Sequence, residues 1–290
     1  RLFCFVLWKA FVHMSVNKIS DTAFMISWIR SGQPTLSGDP WASVWNTRRA
    51  AQIGSGYLEA MGSLNGRACC LRNRYIAERL LTFEQAHPRM SLLNIAAGFS
   101  MYPFRLKPTN STVDLDFPHV NAFKKETIEK LQAAGELPKR KIEFLSLDLQ
   151  TDDAIQELRN TIQKQTKYGP MFIILEGILY YLDLAVVRLL FQALAEELPA
   201  ESQVIAVAWS PKIKHTAKME TARTFFAQDI QRADNHYTYL APSFFTNLDS
   251  LKCTEQLGYR DIEKEFCNEQ LLAEGTFLDE SFYLLKKGVK

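Results

Sequence analysis

The sequence predicts an α/β fold, doubly wound around a mostly parallel seven-stranded sheet, with a C-terminal antiparallel hairpin and extra N-terminal helices. Five short apolar runs between residues 91 and 209 have the length and composition of buried strands. Stretches of helical period separate them, and strands alternating with helices of that length imply right-handed crossovers and a parallel sheet. Two further extended runs near the end of the chain predict the hairpin.

Residues 1–13 (RLFCFVLWKAFVH) are apolar but interrupted by Lys9 and too short to span a bilayer. No small-x-small cleavage site follows, so they read as an extension outside the working domain, which is expected to run from Met14 to residue 290. Residues 18–30 carry apolar side chains at helical spacing behind a cap at Ser20 or Asp21, and SGQPTLSGDP then breaks the pattern. A second helix is expected from about Arg72 to Glu84, with Tyr75, Ile76, Leu80 and Leu81 on one face and Pro88 beyond its end. These helices form a cap over about residues 18–88, and the core occupies about 89–290. The strands are expected at Ser91–Ala97, Thr112–Asp116, Ile142–Asp148, Met171–Glu176 and Val204–Trp209, with helices at Val120–Ala134, Asp153–Gln165 and Leu184–Leu198. From Ser243 the pattern reads as a helix ending near Gly258, then extended runs over Tyr259–Phe266 and Thr276–Lys286. No linker or repeat divides the series, so one domain is expected.

Composition excludes several classes. Net charge is +2 from 34 basic and 32 acidic residues, and the basic ones are spread along the chain, which leaves no electrostatic footprint for nucleic acid. No apolar segment is long enough to predict a membrane span. Five cysteines, an odd number with the adjacent pair Cys69-Cys70 and no C-x-x-C, fit neither a disulfide framework nor a zinc site. A cytoplasmic protein with a metal-free site is the expectation.

In an open parallel sheet, ligands bind beyond the carboxyl ends of the strands where strand order reverses, so the strand ends carry the functional information. The first run ends in Ala96-Ala97-Gly98-Phe99-Ser100, a small-residue turn that lets a ligand approach the backbone. The second ends in Asp114-Leu115-Asp116, 16 to 18 residues past Gly98. That is near the spacing of about 20 for an acid that hydrogen-bonds a ribose hydroxyl. The third ends in Asp148 and the fourth in Glu176. Taken singly, a small turn is a turn and an acid after a strand caps the next helix. Together, carboxylates gathered at a sheet rim call for a cationic or hydroxyl-rich ligand. A dinucleotide needs three glycines to seat its pyrophosphate, and here Ala96 and Met101 occupy two of those places. S-adenosylmethionine carries no phosphate, and its ribose, amino group and sulfonium suit the acids.

The residues also resemble a known family. Asn94 to Leu106 (NIAAGFSMYPFRL) resembles the motif L-G-A-G-L-D-T-R-x-x-R-L of the leucine carboxyl methyltransferases. Val113-Asp-Leu-Asp-Phe-Pro118 with Lys124 resembles that family's V-D-x-P segment and trailing lysine; Leu145-Ser-Leu-Asp148-Leu149 resembles its third-strand D-L; Leu175 to Leu182 (LEGILYYL) is similar to its E-G-L-L-x-Y-L signature. Ser20-Asp-Thr-Ala, Gly38-Asp-Pro40 and Arg72-Asn-Arg74 resemble its N-terminal pattern, so the likeness extends from about Lys18 onward. It implies S-adenosylmethionine as cofactor and O-methylation of a carboxylate or hydroxyl, on a small molecule as in the bacterial polyketide branch or on a peptide C-terminus. By position it implies that Arg72 clamps the donor's carboxylate, Ala96 and Gly98 pass under its methionine portion, and Asp116, with Asp114 competing, holds the ribose. Asp148 and Leu149 would frame the adenine, and Glu176 would face the amino group. Where the family has G, D, T and R, this chain has Ala96, Ser100, Met101 and Tyr102, which predicts weaker donor binding. The rival readings are a non-catalytic methyltransferase-like binding protein and an NAD-dependent oxidoreductase.

A carboxylate acceptor is already ionised at neutral pH and needs no base, whereas a hydroxyl usually wants one. The nearest candidates are Tyr180 and Tyr181, with His215 and His236 further on; Tyr181 is taken as the residue that lines the catalytic site. The segment from Lys212 to Tyr239 is helical in pattern and offers Phe225, Phe226, Tyr237 and Tyr239 to an apolar acceptor cavity, with Lys212, Lys214 and Lys218 a weak pointer to an anionic acceptor.

Overall fold

In the computed structural model, the described residues are 21–229 and 237–288. The expected extension at residues 1–13, the possible cap at Ser20 and the candidate His236 lie outside them.

Seven strands form one sheet in the order β3-β2-β1-β4-β5-β7-β6. They are β1 (Ser91–Ile95), β2 (Ser111–Asp116), β3 (Glu143–Ser146), β4 (Met171–Leu175), β5 (Gln203–Ala208), β6 (Leu251–Gly258) and β7 (Ser281–Lys287). The first five are parallel, and β7 runs antiparallel to both β5 and β6. The helices are α1 (Asp21–Gly32), α2 (Pro34–Ser37), α3 (Arg48–Met61), α4 (Ser63–Ala86), α5 (Pro118–Ala133), α6 (Ala154–Gln165), α7 (Leu184–Glu197), α8 (Ala217–Asp229), α9 (Pro242–Thr246) and α10 (Tyr259–Phe266). No helix among the described residues is long and apolar enough to cross a membrane.

Strand alternation divides the core into two faces. Leu93, Ile95, Val113, Leu115, Ile173 and Leu175 pack with Leu158 and Ile162 of α6 and with Leu190, Phe191 and Leu194 of α7. Their neighbours Leu92, Phe172, Ile174 and Ile205 pack the opposite way, onto Tyr75, Ile76, Leu80 and Phe83 of α4 and Tyr259 and Ile262 of α10. The N-terminal helices therefore form part of the second layer.

The C-terminal reading needs correction. Residues 251–258, expected as the end of a helix, are strand β6, and 259–266, expected as an extended run, are helix α10. A bulge between Cys253 and Glu255 shifts the β6 register, so the apolar positions lose a clean period of two. Tyr259, Ile262 and Phe266 recur at helical spacing, and Asp261 accepts from the Gly258 N–H (3.1 Å) at the helix start. The antiparallel pairing of the last two strands is present, formed by β6 and β7, but α10 and the loop after it separate them in place of a short connection. The second expected helix begins at Ser63 rather than Arg72, and α3 precedes it, with Thr47 Oγ1 accepting from the Ala50 N–H.

Beneath the β1 turn, Asp114 of β2 and Lys124 of α5 form a wholly buried ion pair at 2.8 Å. Asn94 donates to Asp114 (3.2 Å) and to Ser100 Oγ (2.8 Å), and Ser100 donates to the Ala97 carbonyl (2.8 Å). Removing one member of such a pair strands a buried charge. Asp114→Ala is expected to cost about 3–5 kcal/mol, and adding Lys124→Met should recover part of it; equal melting temperatures for wild type and Asp114→Ala would show that the pair is not structural.

Candidate active site

β1 lies between β2 and β4, the point at which the chain, having wound outward to β3, returns on the other side. A cavity of about 250 Å³ opens there beyond the strand ends. Its floor is the turn after β1. Gly98 has φ +45°, in the left-handed region that glycine adopts freely, and Ala96 has φ +55°, where a side chain strains the backbone. The Gly98 N–H donates to Asp116 Oδ2 and the Phe117 N–H to Asp116 Oδ1, both at 2.7 Å. Burial pushes the Asp116 carboxyl above its ordinary range, with these two bonds and Lys124 opposing.

The opposite wall is held by Arg72 of α4. Its Nε donates to Glu176 Oε1 (2.8 Å) and its Nη1 to Glu280 Oε2 (2.9 Å). Tyr102 donates to the other Glu176 oxygen at 2.7 Å, and Tyr259 donates to Glu280. Burial pushes Glu176 up, but Arg72, Arg30 and the Tyr102 bond outweigh it and hold the carboxyl below its usual range. Burial likewise disfavours charge on Arg72, and Glu280 and Glu176 overcome it. Arg30 of α1 pairs with the buried Asp39 (3.3 Å) and donates to the Phe99 carbonyl (3.2 Å).

Arg72, Ala96, Gly98, Asp116, Asp148, Leu149, Glu176 and Tyr181 all line this one cavity. Asp114 does not: it faces α5 and is engaged by Lys124. Asp148 is half-buried and accepts from the Gln150 N–H (3.0 Å). Phe226 also lines the cavity, whereas Phe225 packs edge-on against Tyr57 and Tyr237 against Trp209. His215 is exposed and outside it. Lys218 donates to the Met61 carbonyl (2.8 Å) instead of facing the cavity. Sequence reasoning did not find Arg30, Tyr57, Cys69, Trp209 or Glu280. Trp209 had a signal, since it ends the fifth apolar run, but Glu280 joins Arg72 across 208 positions of chain and belongs to no motif.

The leucine carboxyl methyltransferase family model matches residues 44–195, just over half of the chain. Among solved structures, a candidate methyltransferase of Thermobifida fusca YX superposes with a TM-score of 0.60 at 14% identity, over 88% of this chain and 93% of its own. A DUF574 family protein of Streptomyces avermitilis MA-4680 superposes with a TM-score of 0.58 at 11% identity, over 92% and 97%. Likeness at such identities speaks for the fold. No curated protein matches the sequence. Fold and family match together define a methyltransferase. The chain belongs to the leucine carboxyl methyltransferase family.

Two outcomes follow from the geometry. Arg72→Ala leaves Glu176 and Glu280 buried without their cation and should lower stability by about 3–5 kcal/mol in denaturant titration, less if Glu280→Gln is added. Ala96→Gly relieves a left-handed strain of roughly 1–2 kcal/mol, partly offset by the freer unfolded chain, so a net gain of up to about 1 kcal/mol is expected. A loss of stability in that variant would mean the Ala96 methyl packs usefully.

Proposed function

We propose that this protein is an S-adenosylmethionine-dependent O-methyltransferase acting on a small molecule. One observation carries the reading: carboxylates at the ends of β2, β3 and β4 converge on a cavity whose turn keeps a single glycine. That donor set suits a ligand rich in hydroxyls and positive charge and lacking phosphate. The residues fit S-adenosylmethionine in detail. Among the described residues, Nη2 of Arg72 has no hydrogen-bond partner, which leaves it for the donor's carboxylate. Glu176, held ionised by its neighbours, suits the amino group. Asp116 is assigned to the ribose, and Asp148 and Leu149 to the adenine. Asp114 is assigned a structural role, because it does not line the cavity and is paired with Lys124 beneath it.

Bound there, S-adenosylmethionine supplies an electrophilic methyl group on a sulfonium. The protein's own contribution is position and exclusion of water. Asp116 and Gly98 hold the turn, Arg72 and Glu176 fix the charged end, and Tyr181 lines the cavity beside Tyr180 (ring centroids 4.6 Å apart). The four described cysteines carry free thiols, which supports a cytoplasmic location.

Calorimetric titration with S-adenosylmethionine, its demethylated product S-adenosylhomocysteine, and NAD tests the reading. Micromolar binding of the first two, about −8 kcal/mol, is expected, with none for NAD; absence of binding at millimolar donor would overturn it. Asp116→Ala should cost about 1.5–3 kcal/mol of donor binding, the range for hydrogen bonds to a charged group. If Asp116→Ala binds donor as wild type does, the ribose assignment is wrong.

A further inference from the structure

We infer that the half of the cavity beneath β5 and β7 is an acceptor subsite for a neutral phenol, and that a carboxylate is not the favoured acceptor. The inference rests on the donor reading above and deepens it. The cavity divides chemically along the sheet: three of its acids close β2, β3 and β4 and the fourth, Glu280, precedes β7 paired with Arg72, whereas Trp209 follows β5 and Tyr180 follows β4. Those two rings stack at 3.9 Å with an 8° interplanar angle, which builds a flat wall. Tyr57 of α3 and Phe226 of α8, with ring centroids 6.5 Å apart and planes at 27°, line the same cavity. An aromatic lining of this kind suits a planar ring.

Charge decides against an anion. Among the described residues that line the cavity, the cations are Arg30 and Arg72 and the carboxylates are Asp116, Asp148, Glu176 and Glu280. Arg30 is committed to Asp39, and Arg72 to Glu176, to Glu280 and, in the donor reading, to the donor's own carboxylate. A carboxylate entering the aromatic half would lose its water and meet no uncommitted cation there. What that half offers is neutral. The indole N–H of Trp209 is buried with no hydrogen-bond partner among the described residues, and Tyr57 and Tyr180 line the same cavity with their neutral hydroxyls. An unpaired buried N–H is costly until something accepts from it, and an oxygen of a neutral acceptor would.

Acidity narrows the class further. Neither Lys nor His lines the cavity among the described residues, and burial pushes the Tyr57 and Tyr180 hydroxyls well above their ordinary values. An aliphatic hydroxyl is a far weaker acid than a phenol, which ionises near pH 10 in water, so of the two neutral acceptors the phenol gives up its proton more readily. The balance is simple. The phenol oxygen forms the new bond to the methyl carbon, the pair of the broken C–S bond stays on sulfur, and the phenol proton passes to water.

The test uses the intact protein saturated with S-adenosylhomocysteine and titrated with 2-naphthol, 2-naphthoate or cyclohexanol, with transfer from methyl-labelled S-adenosylmethionine measured in parallel. Naphthol should bind at least tenfold more tightly than naphthoate and alone accept methyl. Trp209→Phe, which keeps the ring and removes the N–H, should weaken naphthol several-fold and leave S-adenosylhomocysteine affinity unchanged; Tyr57→Phe serves if that variant does not fold. Naphthoate binding as tightly as naphthol, methylated cyclohexanol, or no naphthol binding at millimolar concentration overturns the inference while leaving the donor reading intact. Failure of S-adenosylhomocysteine itself to bind overturns both.

Discussion

Arg72 is the group on which the rest of the site depends, because one guanidinium joins three segments far apart in the chain. It stands on α4, meets Glu176 where β4 ends and meets Glu280 just before β7 begins. Taking three charges out of water is expensive, and two further hydroxyl donors support the arrangement. Tyr102 donates to the free oxygen of Glu176, and Tyr259 donates to Glu280. The tie explains why the N-terminal helices lie against the second face of the sheet at the cavity: they deliver the cation for which the carboxylates at two strand ends have no other partner. It also sets the sign of the field, since two acids on one base leave this wall negative.

Much of the core was legible from periodicity alone, because buried parallel strands are continuous apolar runs and Leu93, Ile95, Ile173 and Leu175 are such positions. Helix α3 was not, and glycine is the reason. Gly54 and Gly56 weaken the helical signal of RRAAQIGSGYLEAM, so that no element is expected there, yet a methyl group on Gly54 would stand 2.2 Å from the Trp28 ring. That glycine marks close helix packing, which sequence cannot distinguish from a turn. The β6 bulge hid a strand in the same way, by breaking the alternation that announces one. At the site, residues that end strands were found because position along a strand is readable. Tyr57, Cys69 and Glu280 were not, because their place depends on which helix or loop packs over the sheet, and that is a long-range outcome.

The departures from the family's glycine motif look like losses in the sequence, and in the structure each has acquired a partner. Ser100 stands where the family has an acid; it accepts from Asn94 and donates to the Ala97 carbonyl, and Asn94 reaches on to the Asp114–Lys124 pair. The turn is thus pinned from below by a buried network instead of by a charged side chain of its own. Tyr102 stands where the family has an arginine, and its hydroxyl binds Glu176. A phenol in place of a guanidinium makes that hydrogen bond without adding a positive charge, so the cavity keeps its excess of carboxylates. Ala96 keeps the left-handed backbone that a glycine would adopt freely, at some strain, because the Gly98 N–H is fixed to Asp116 and the Ala97 N–H to the Leu115 carbonyl (3.0 Å). The turn therefore retains its shape through its neighbours, and losing one acid at Ser100 and one base at Tyr102 leaves the formal charge of the wall as the family pattern would have it. The wall is negative through Asp116, Asp148, Glu176 and Glu280, and such a wall discriminates against an anion and in favour of a cation.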